Sequence, residues 1–191
     1  DGPMVSYYPD GDKESLTTYA SGYRHGLYRA WHENGNYSIK GRFRDDQRDS
    51  LWLFWYPNGQ LMKKMVYIPG FSTGLLQLYR SPAGDTLVQE GYGRVQAYHP
   101  NDSLKHQGYY RQGKRDSLWM AWYANGQLRD SGYYEKGLKK GRWYSFYPDG
   151  APKELLSYPN GPHKGWFPNG QLNYSGKVQA GKRHGQWDYW Y

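Results

Sequence analysis

The sequence of 191 residues contains no cysteine. Disulfide bridges and thiolate metal sites are therefore excluded, and the redox compartment is left open. The sequence also lacks any run of about 20 apolar residues, the length that a membrane-spanning helix needs. It has no Gly-x-Ser-x-Gly elbow and no Gly-rich phosphate loop that leads into a helix. These absences argue against a nucleophilic hydrolase and a nucleotide-binding enzyme, and we expect no enzymatic activity.

Metal and cofactor sites are not expected either. A zinc site needs three or four converging ligands, and cysteine is missing. His25 and His184 hold the same position in repeats that are far apart along the chain, so they are not expected to meet. The six histidines are therefore interpreted as surface residues of loops and edges: His25, His32, His99, His106, His163 and His184.

Aromatic residues replace a conventional aliphatic core. They make up 19% of the chain, with 22 Tyr and 9 Trp, although the mean hydropathy is −1.05. Disordered chains can be equally hydrophilic, but they are poor in aromatic residues. Because the rings recur at fixed positions, we expect the chain to fold. The net charge of +8 favours anionic partners only in a general way.

The chain is built from repeats. Residues 108–126 and 132–150 carry the same pattern, displaced by 24 residues, and eight short turns mark the repeat along the whole chain. Five of the seven intervals between these turns are 24 or 25 residues. The turns lie at Asp10-Gly11, Asn34-Gly35, Asn58-Gly59, Ala83-Gly84, Asn101-Asp102, Asn125-Gly126, Asp149-Gly150 and Asn169-Gly170.

Each repeat has the pattern of a β-hairpin. An aromatic strand such as residues 52–56 leads into Pro-Asn-Gly or Pro-Asp-Gly, which is typical of a type I turn followed by a G1 bulge. A second strand follows, with a Leu two residues and a Gly six residues after the turn. Rings occupy both parities of the strand, so both faces of the sheet are expected to be aromatic.

A second loop joins one hairpin to the next, and it carries a cation at one recurring position. These cations form the basic row, which consists of Arg24, Arg48, Arg115, Lys139 and Arg183. The fold is expected to align them along one edge, where they are candidates for binding anions. The alternative is that such loops need soluble residues, which also protect strand ends from edge pairing.

The predicted fold is all-β: an elongated, single-layer antiparallel sheet of tandem β-hairpins, with about eight units. No linker-like segment divides the chain, so residues 1–191 are expected to form a single domain. Two stretches break the regular pattern, at about 65–107 and 151–168. Within the first of these, residues 68–71 replace the second loop.

These residues resemble the bacterial variant of the MORN repeat, the type found in YwqK-like antitoxin proteins. The resemblance is carried by Trp119, Tyr123, Asn125, Gly126, Leu128 and Gly132. It implies a non-enzymatic sheet of hairpins that binds proteins, and in some relatives phospholipids. The chain departs from the pattern where Asp-Ser replaces x-Gly, at residues 49–50 and 116–117.

The leading functional hypothesis is a repeat scaffold that binds a partner protein, with Trp55, Trp122 and Trp166 as the candidate contacts. One alternative is a module that binds anionic surfaces, such as phospholipid headgroups, through the basic row. Another, which depends on the resemblance, is an antitoxin-like inhibitor of a partner toxin. Nucleic acid is not expected as a partner.

Two further expectations concern the ends of the chain. The sequence begins at Asp1 without an initiator methionine. This start favours an extracytoplasmic or cell-envelope location in a bacterium over the cytoplasm. Both ends stop within a repeat, which predicts self-association through the terminal strand edges.

Overall fold

The computed structural model describes residues 1–68 and 73–191. These residues form seventeen β-strands and no helix, and hence none that could cross a membrane. The recorded pairings between consecutive strands are antiparallel. The predicted fold class is therefore confirmed: the chain is all-β and consists of consecutive hairpins in an open antiparallel sheet.

The chain divides into two compact units, Asp1–Gly93 and Arg94–Tyr191. The strands of the first unit are β1 (Gly2–Tyr7), β2 (Lys13–Ala20), β3 (Tyr23–Trp31), β4 (Tyr37–Arg44), β5 (Gln47–Trp55), β6 (Leu61–Tyr67), β7 (Leu75–Arg80), β8 (Thr86–Gln89) and the start of β9 (Tyr92–Tyr98). Whether the whole chain forms a single domain stays a prediction.

The second unit contains the remainder of β9 and the eight strands that follow it. These are β10 (Leu104–Arg111), β11 (Lys114–Trp122), β12 (Leu128–Glu135), β13 (Leu138–Phe146), β14 (Pro152–Tyr158), β15 (Gly161–Trp166), β16 (Leu172–Gln179) and β17 (Lys182–Tyr189). Of the two irregular stretches, the first contains the short β8. The prediction that residues 68–71 replace a loop falls on residues 69–71, which lie outside the described residues.

All eight predicted turns are present. In the turn after β5, the Gly59 N–H donates to the Tyr56 carbonyl at 2.9 Å, and the Tyr56 N–H donates to the Gln60 carbonyl at 2.9 Å. Gly59 has φ 83°, which is the left-handed residue of a type I turn with a G1 bulge. The turn at Asp102 lacks glycine but keeps the geometry, because Asp102 itself adopts φ 60°. Short polar residues such as Asp tolerate this region better than most.

The second connection is shorter than the sequence suggested. It is a two-residue turn with positive φ at both positions, 51° at Gln112 and 72° at Gly113 in one example, as in a type I′ turn. Because the turn is so tight, the following strand begins directly after it. The basic row was predicted to lie in loops, and this placement is wrong: Arg48 is in β5, and Arg115 is in β11. The other three members lie in β3, β13 and β17.

The recurring Trp and the recurring Gly form a single packing unit across neighbouring strands. A Cβ atom added to Gly132 would lie 2.3 Å from the ring of Trp143, so the ring rests directly on the glycine backbone. Trp143 is buried, and its Nε1 donates to the Tyr133 carbonyl at 3.0 Å. The same contact, with a Cβ at 2.2 Å, recurs in three other pairs: Gly41–Trp52, Gly108–Trp119 and Gly176–Trp187.

Aromatic packing on this side of the sheet also supplies the core of the first unit. Phe43, Trp52 and Phe54 are buried together, and Phe43 meets Trp52 edge to face with ring centroids 4.9 Å apart. Tyr28 stacks on Trp52 at 5.6 Å, and Met65 packs against the same cluster. Burial of rings within a single layer therefore takes the place of a second layer.

Replacing Gly132 with Ala is expected to destabilise the protein by about 1–3 kcal/mol, because the new methyl group displaces the Trp143 ring from its buried position. Urea unfolding followed by tryptophan fluorescence measures the change. Ser131→Ala, one residue earlier on β12, is the control and is expected to have a smaller effect. Equal stability of Gly132→Ala and the parent chain would contradict this account of the packing.

Candidate interaction surfaces

Side chains alternate between the two faces of the sheet. In each unit, we call the face with the glycine-packed tryptophans the packed face, and the other the open face; these tryptophans are Trp52 in the first unit and Trp119, Trp143 and Trp187 in the second. The residue that precedes each of these tryptophans points to the open face. Two of these preceding residues are Leu51, which is 48% exposed, and Leu118, which is 41% exposed. The corresponding tryptophans, Trp52 and Trp119, are 0% and 6% exposed. The two faces therefore differ greatly in how much apolar surface they leave in contact with water.

The basic row lies on the packed face, with each cation over an aromatic ring. The distances from the charged group to the ring centroid are 4.2 Å for Arg24–Phe43, 4.7 Å for Arg48–Trp52, 4.6 Å for Arg115–Trp119, 4.3 Å for Lys139–Trp143 and 4.5 Å for Arg183–Trp187. Contacts of this geometry are cation–π interactions. All five predicted residues thus share one structural environment, although they contact different rings.

Most of these cations also contact a tyrosine beyond the tryptophan. Arg48 Nη1 donates to the Tyr67 hydroxyl at 2.8 Å. Arg115 and Arg183 donate in the same way to Tyr134 at 3.1 Å and to Tyr189 at 2.7 Å. The basic row therefore covers the buried tryptophans, and its recurrence has a structural reason that the sequence alone did not reveal. Its proposed role in anion binding stays a prediction.

Arg24 makes an additional ion pair. Its Nε donates to Asp46 Oδ1 at 2.8 Å, and its backbone N–H donates to the same oxygen at 3.0 Å. These hydrogen bonds from Arg24 lower the pKa of the Asp46 carboxyl, because they stabilise its charged form. The pair joins β3 to the turn between β4 and β5.

The predicted contact tryptophans Trp55, Trp122 and Trp166 lie on the open face, each at the last position of its strand. All three are half-buried, and in the strand register each pairs with a leucine: Leu61, Leu128 and Leu172 respectively. Their shared position places each of them beside a Pro-Asn-Gly-type turn. The structure does not test whether they bind a partner.

A ladder of side-chain hydrogen bonds ties each of these turns to the next hairpin. The residue that opens the turn donates to a backbone carbonyl on the following hairpin in six pairs: Tyr8–Trp31, His32–Trp55, Tyr56–Arg80, His99–Trp122, Tyr123–Phe146 and Tyr147–Trp166, at 2.8–3.0 Å. Three turn asparagines add further bonds, from Asn34, Asn101 and Asn125 to the carbonyls of Pro57, Ala124 and Pro148.

The ladder assigns a structural role to two histidines. His32 and His99 occupy the position that tyrosine holds in other repeats, and Nε2 of each lies 3.0 Å from a carbonyl oxygen. Since a carbonyl only accepts, Nε2 must carry the proton in both rings. Both are half-buried, as are His106 in β10 and His163 in β15, so the interpretation of these four as plain surface residues is wrong. The signal was present in the sequence for His32 and His99, because both precede a turn at the tyrosine position.

Within the part of the chain that the structure describes, no three His, Asp or Glu side chains come together in a group that could hold a metal ion. One concave feature is an open depression of about 610 Å³ in the second unit. Residues of β10, β11, β12 and β13 line it, among them Tyr133. Most of its lining side chains project from the open face.

Comparison with known proteins gives one family match. Residues 24–45 and 48–68 match the family model described as a MORN repeat variant. These are two consecutive repeats of the first unit. MORN repeats are a non-catalytic repeat type that mediates protein or membrane interactions. The match supports neither a YwqK-like antitoxin relationship nor a bacterial origin.

Structural similarity adds little. The chain is similar to a chain in the crystal structure of TcdB2-TccC3-Cdc42, at 10% identity and a TM-score of 0.25. The match covers 92% of the present chain and 13% of that chain. A TM-score this low supports no conclusion about fold or function. No curated protein matches the sequence.

Replacing Arg48 with Met should lower stability by about 0.5–1 kcal/mol, the range for cation–π pairs at exposed sites. The loss arises because the contacts with Trp52 and Tyr67 disappear while the length of the side chain is kept. Urea unfolding is the measurement, and Arg42→Met, an exposed position on the open face of β4, is the control. The assignment would be wrong if both variants lost the same stability.

Stability is also expected to fall on the acid side through His106. Burial, and next to it the charge of Arg115, lower the pKa of His106, which stacks on Trp119. The unfolded chain then binds more protons below pH about 6.5, so stability falls from there until the pH reaches the folded pKa. Urea unfolding is measured for the parent chain and for His106→Gln at pH 7 and at pH 5. Between the two pH values, the parent chain is expected to lose more stability than the variant. Identical losses in the two proteins would contradict the expectation.

Proposed function

We propose that the chain is a non-catalytic scaffold that binds a partner protein through the open face of its sheet. The observation that carries this proposal is the contrast between the two faces. On the packed face, each tryptophan of the four Gly–Trp pairs lies beneath a cation. On the open face, Lys40 lies over Tyr37 and, at 5.6 Å, over Trp55, but other apolar side chains are exposed to water: Leu27 is 54% exposed, Tyr133 55% and Tyr144 40%.

The open face has the composition of a contact surface. Exposed apolar patches on soluble proteins usually mark binding sites, and aromatic side chains supply most of the anchors in protein interfaces. The proposed anchors are Trp55 in the first unit and Trp122 and Trp166 in the second, and the exposed leucines of each unit extend the apolar surface beside them. The interaction roles of MORN repeats agree with this proposal at a general level.

The two alternatives have less support. Binding of an anionic surface through the basic row requires cations that already lie over rings, and it predicts a steep loss of binding with added salt. Antitoxin-like inhibition has no observation on this chain in its favour. Self-association through terminal strands is a separate prediction, which light scattering over a range of concentrations tests.

The anchors can be tested with the triple variant Trp55→Ser, Trp122→Ser and Trp166→Ser. Immobilised parent chain captures partners from an extract of its source cells, and the captured proteins are compared by mass spectrometry. The triple variant is expected to lose the proteins that the parent retains, because the apolar anchors are gone. If it recovers the same set while still folded, the anchor assignment fails.

Two further variants separate binding from folding, since the three tryptophans are half-buried. The double variant Leu27→Ser and Leu51→Ser changes exposed side chains of the open face and is expected to weaken capture with little loss of stability. Met4→Ser changes a residue that is 55% exposed on the packed face, where Met4 pairs with Thr17. This control is expected to capture the full set.

A further inference from the structure

We propose that the depression beside Tyr133 in the second unit binds an acidic segment of a partner protein. This inference rests on the proposed scaffold function and gives one part of the open face a specific chemistry. Five cations line the depression: Arg111, Lys114, Lys136, Lys140 and Arg142. Two carboxylates, Asp116 and Glu135, lie among them.

The two carboxylates engage only two of the five cations. Arg111 Nε lies 3.5 Å from Asp116 Oδ1, and Lys140 forms an ion pair with Glu135. No carboxylate of the described residues comes within 4.0 Å of the side-chain charges of Lys114, Lys136 and Arg142, although the Lys136 backbone N–H donates to Asp116 Oδ2 at 3.4 Å. Three positive charges in one depression are thus left for an external anion.

These cations differ from the basic row in their surroundings. The five members of that row lie 4.2–4.7 Å from ring centroids on the packed face, where they cover buried rings. Among the described residues, no ring has Lys114, Lys136 or Arg142 above it in this way. All three are exposed, so carboxylates can approach them without breaking an existing contact. Arg142 offers a planar fork that suits a carboxylate especially well.

The apolar part of the depression favours a peptide over a polyanion. Tyr133 lines the depression and is exposed, and its partner in the strand register, Leu118, is an exposed apolar side chain beside it. A ligand that covers them needs apolar groups between its negative charges. Asp116 and Glu135 would repel a densely charged strand of nucleic acid, whereas a segment with spaced acidic residues can avoid them. The concave surface suits a chain segment better than a flat membrane.

The corresponding place in the first unit lacks the same chemistry. Leu51 pairs there with Val66, so valine takes the place of Tyr133. Arg44 pairs with Gln47, which takes the place of Lys114. The proposed specificity therefore belongs to the second unit and is not a property that every repeat shares.

The test uses a fluorescein-labelled peptide of alternating Glu and Leu, with fluorescence anisotropy as the readout. The parent chain is compared with the triple variant Lys114→Gln, Lys136→Gln and Arg142→Gln. The matched control is Arg29→Gln, Arg42→Gln and Lys177→Gln, which changes the net charge equally at exposed positions outside the depression. The first variant is expected to bind about tenfold more weakly than the parent, while the control binds within about twofold of it.

A second pair of measurements tests the apolar part and the nature of the anion. Tyr133→Ser is expected to weaken binding, and a peptide with Gln in place of Glu is expected not to bind the parent chain. Urea unfolding of every variant shows that folding is retained. Equal affinity of the two triple variants, or of the two peptides, would overturn the proposal. Tighter binding of oligothymidylate or of phosphatidylserine vesicles would also overturn it, in favour of an anionic polymer or surface.

The experiments distinguish a failure of this inference from a failure of the scaffold proposal. If the acidic peptide does not bind while the open-face leucine variants still lose captured proteins, only the inference about the depression fails. If the peptide binds but the open-face leucine variants capture the full set of proteins, the exposed leucines are not part of the scaffold surface, and the inference about the depression stands without them.

Discussion

The contact between a tryptophan ring and a cross-strand glycine is the interaction on which this fold depends. A single layer of strands has no opposing layer against which to bury side chains. The ring solves this problem by lying flat on the backbone of the neighbouring strand, as Trp52 does over Gly41. A glycine is required because any Cβ would occupy the volume of the ring. Each pair is local to two adjacent strands, so the same solution can be repeated along the chain.

The cations complete this arrangement from the solvent side. A ring that rests on a glycine still has one exposed face, and the aliphatic stem and charged head of an arginine or lysine cover it without removing the charge from water. This packing therefore explains part of the high content of basic residues in a chain that is also rich in tryptophan. The charge that is left over for recognition is the part that contacts neither a ring nor a carboxylate, as at Lys114 and Arg142.

The hairpins and their turns could be predicted from the sequence, because turn chemistry is local. Pro-Asn-Gly specifies a type I turn with a bulge, and even Asp102 follows the rule without glycine. The Gly–Trp contact could not be predicted with the same ease, since it joins residues about 11 positions apart and depends on the strand register. The position of Arg48 was misplaced for a related reason: two residues suffice for the second turn, so the strand begins earlier than the loop-like sequence suggests. The surface beside Tyr133 brings together residues of β10, β11, β12 and β13, and no single motif in the sequence describes it.

The hydrogen-bond ladder at the Pro-Asn-Gly-type turns bears on where the chain can lose or gain residues. Most of its bonds span 23 or 24 residues, but the bond from Tyr147 to the Trp166 carbonyl spans 19. The shortened interval is therefore accommodated without loss of the bond, and the missing residues come from the far ends of β14 and β15. In this repeat, the ends of the strands beside the Pro-Asn-Gly-type turns keep their alignment, and the opposite ends take up the deletion. New loops for recognition would accordingly be gained at the rim of the two-residue turns, where a change in length leaves the alignment of successive hairpins intact.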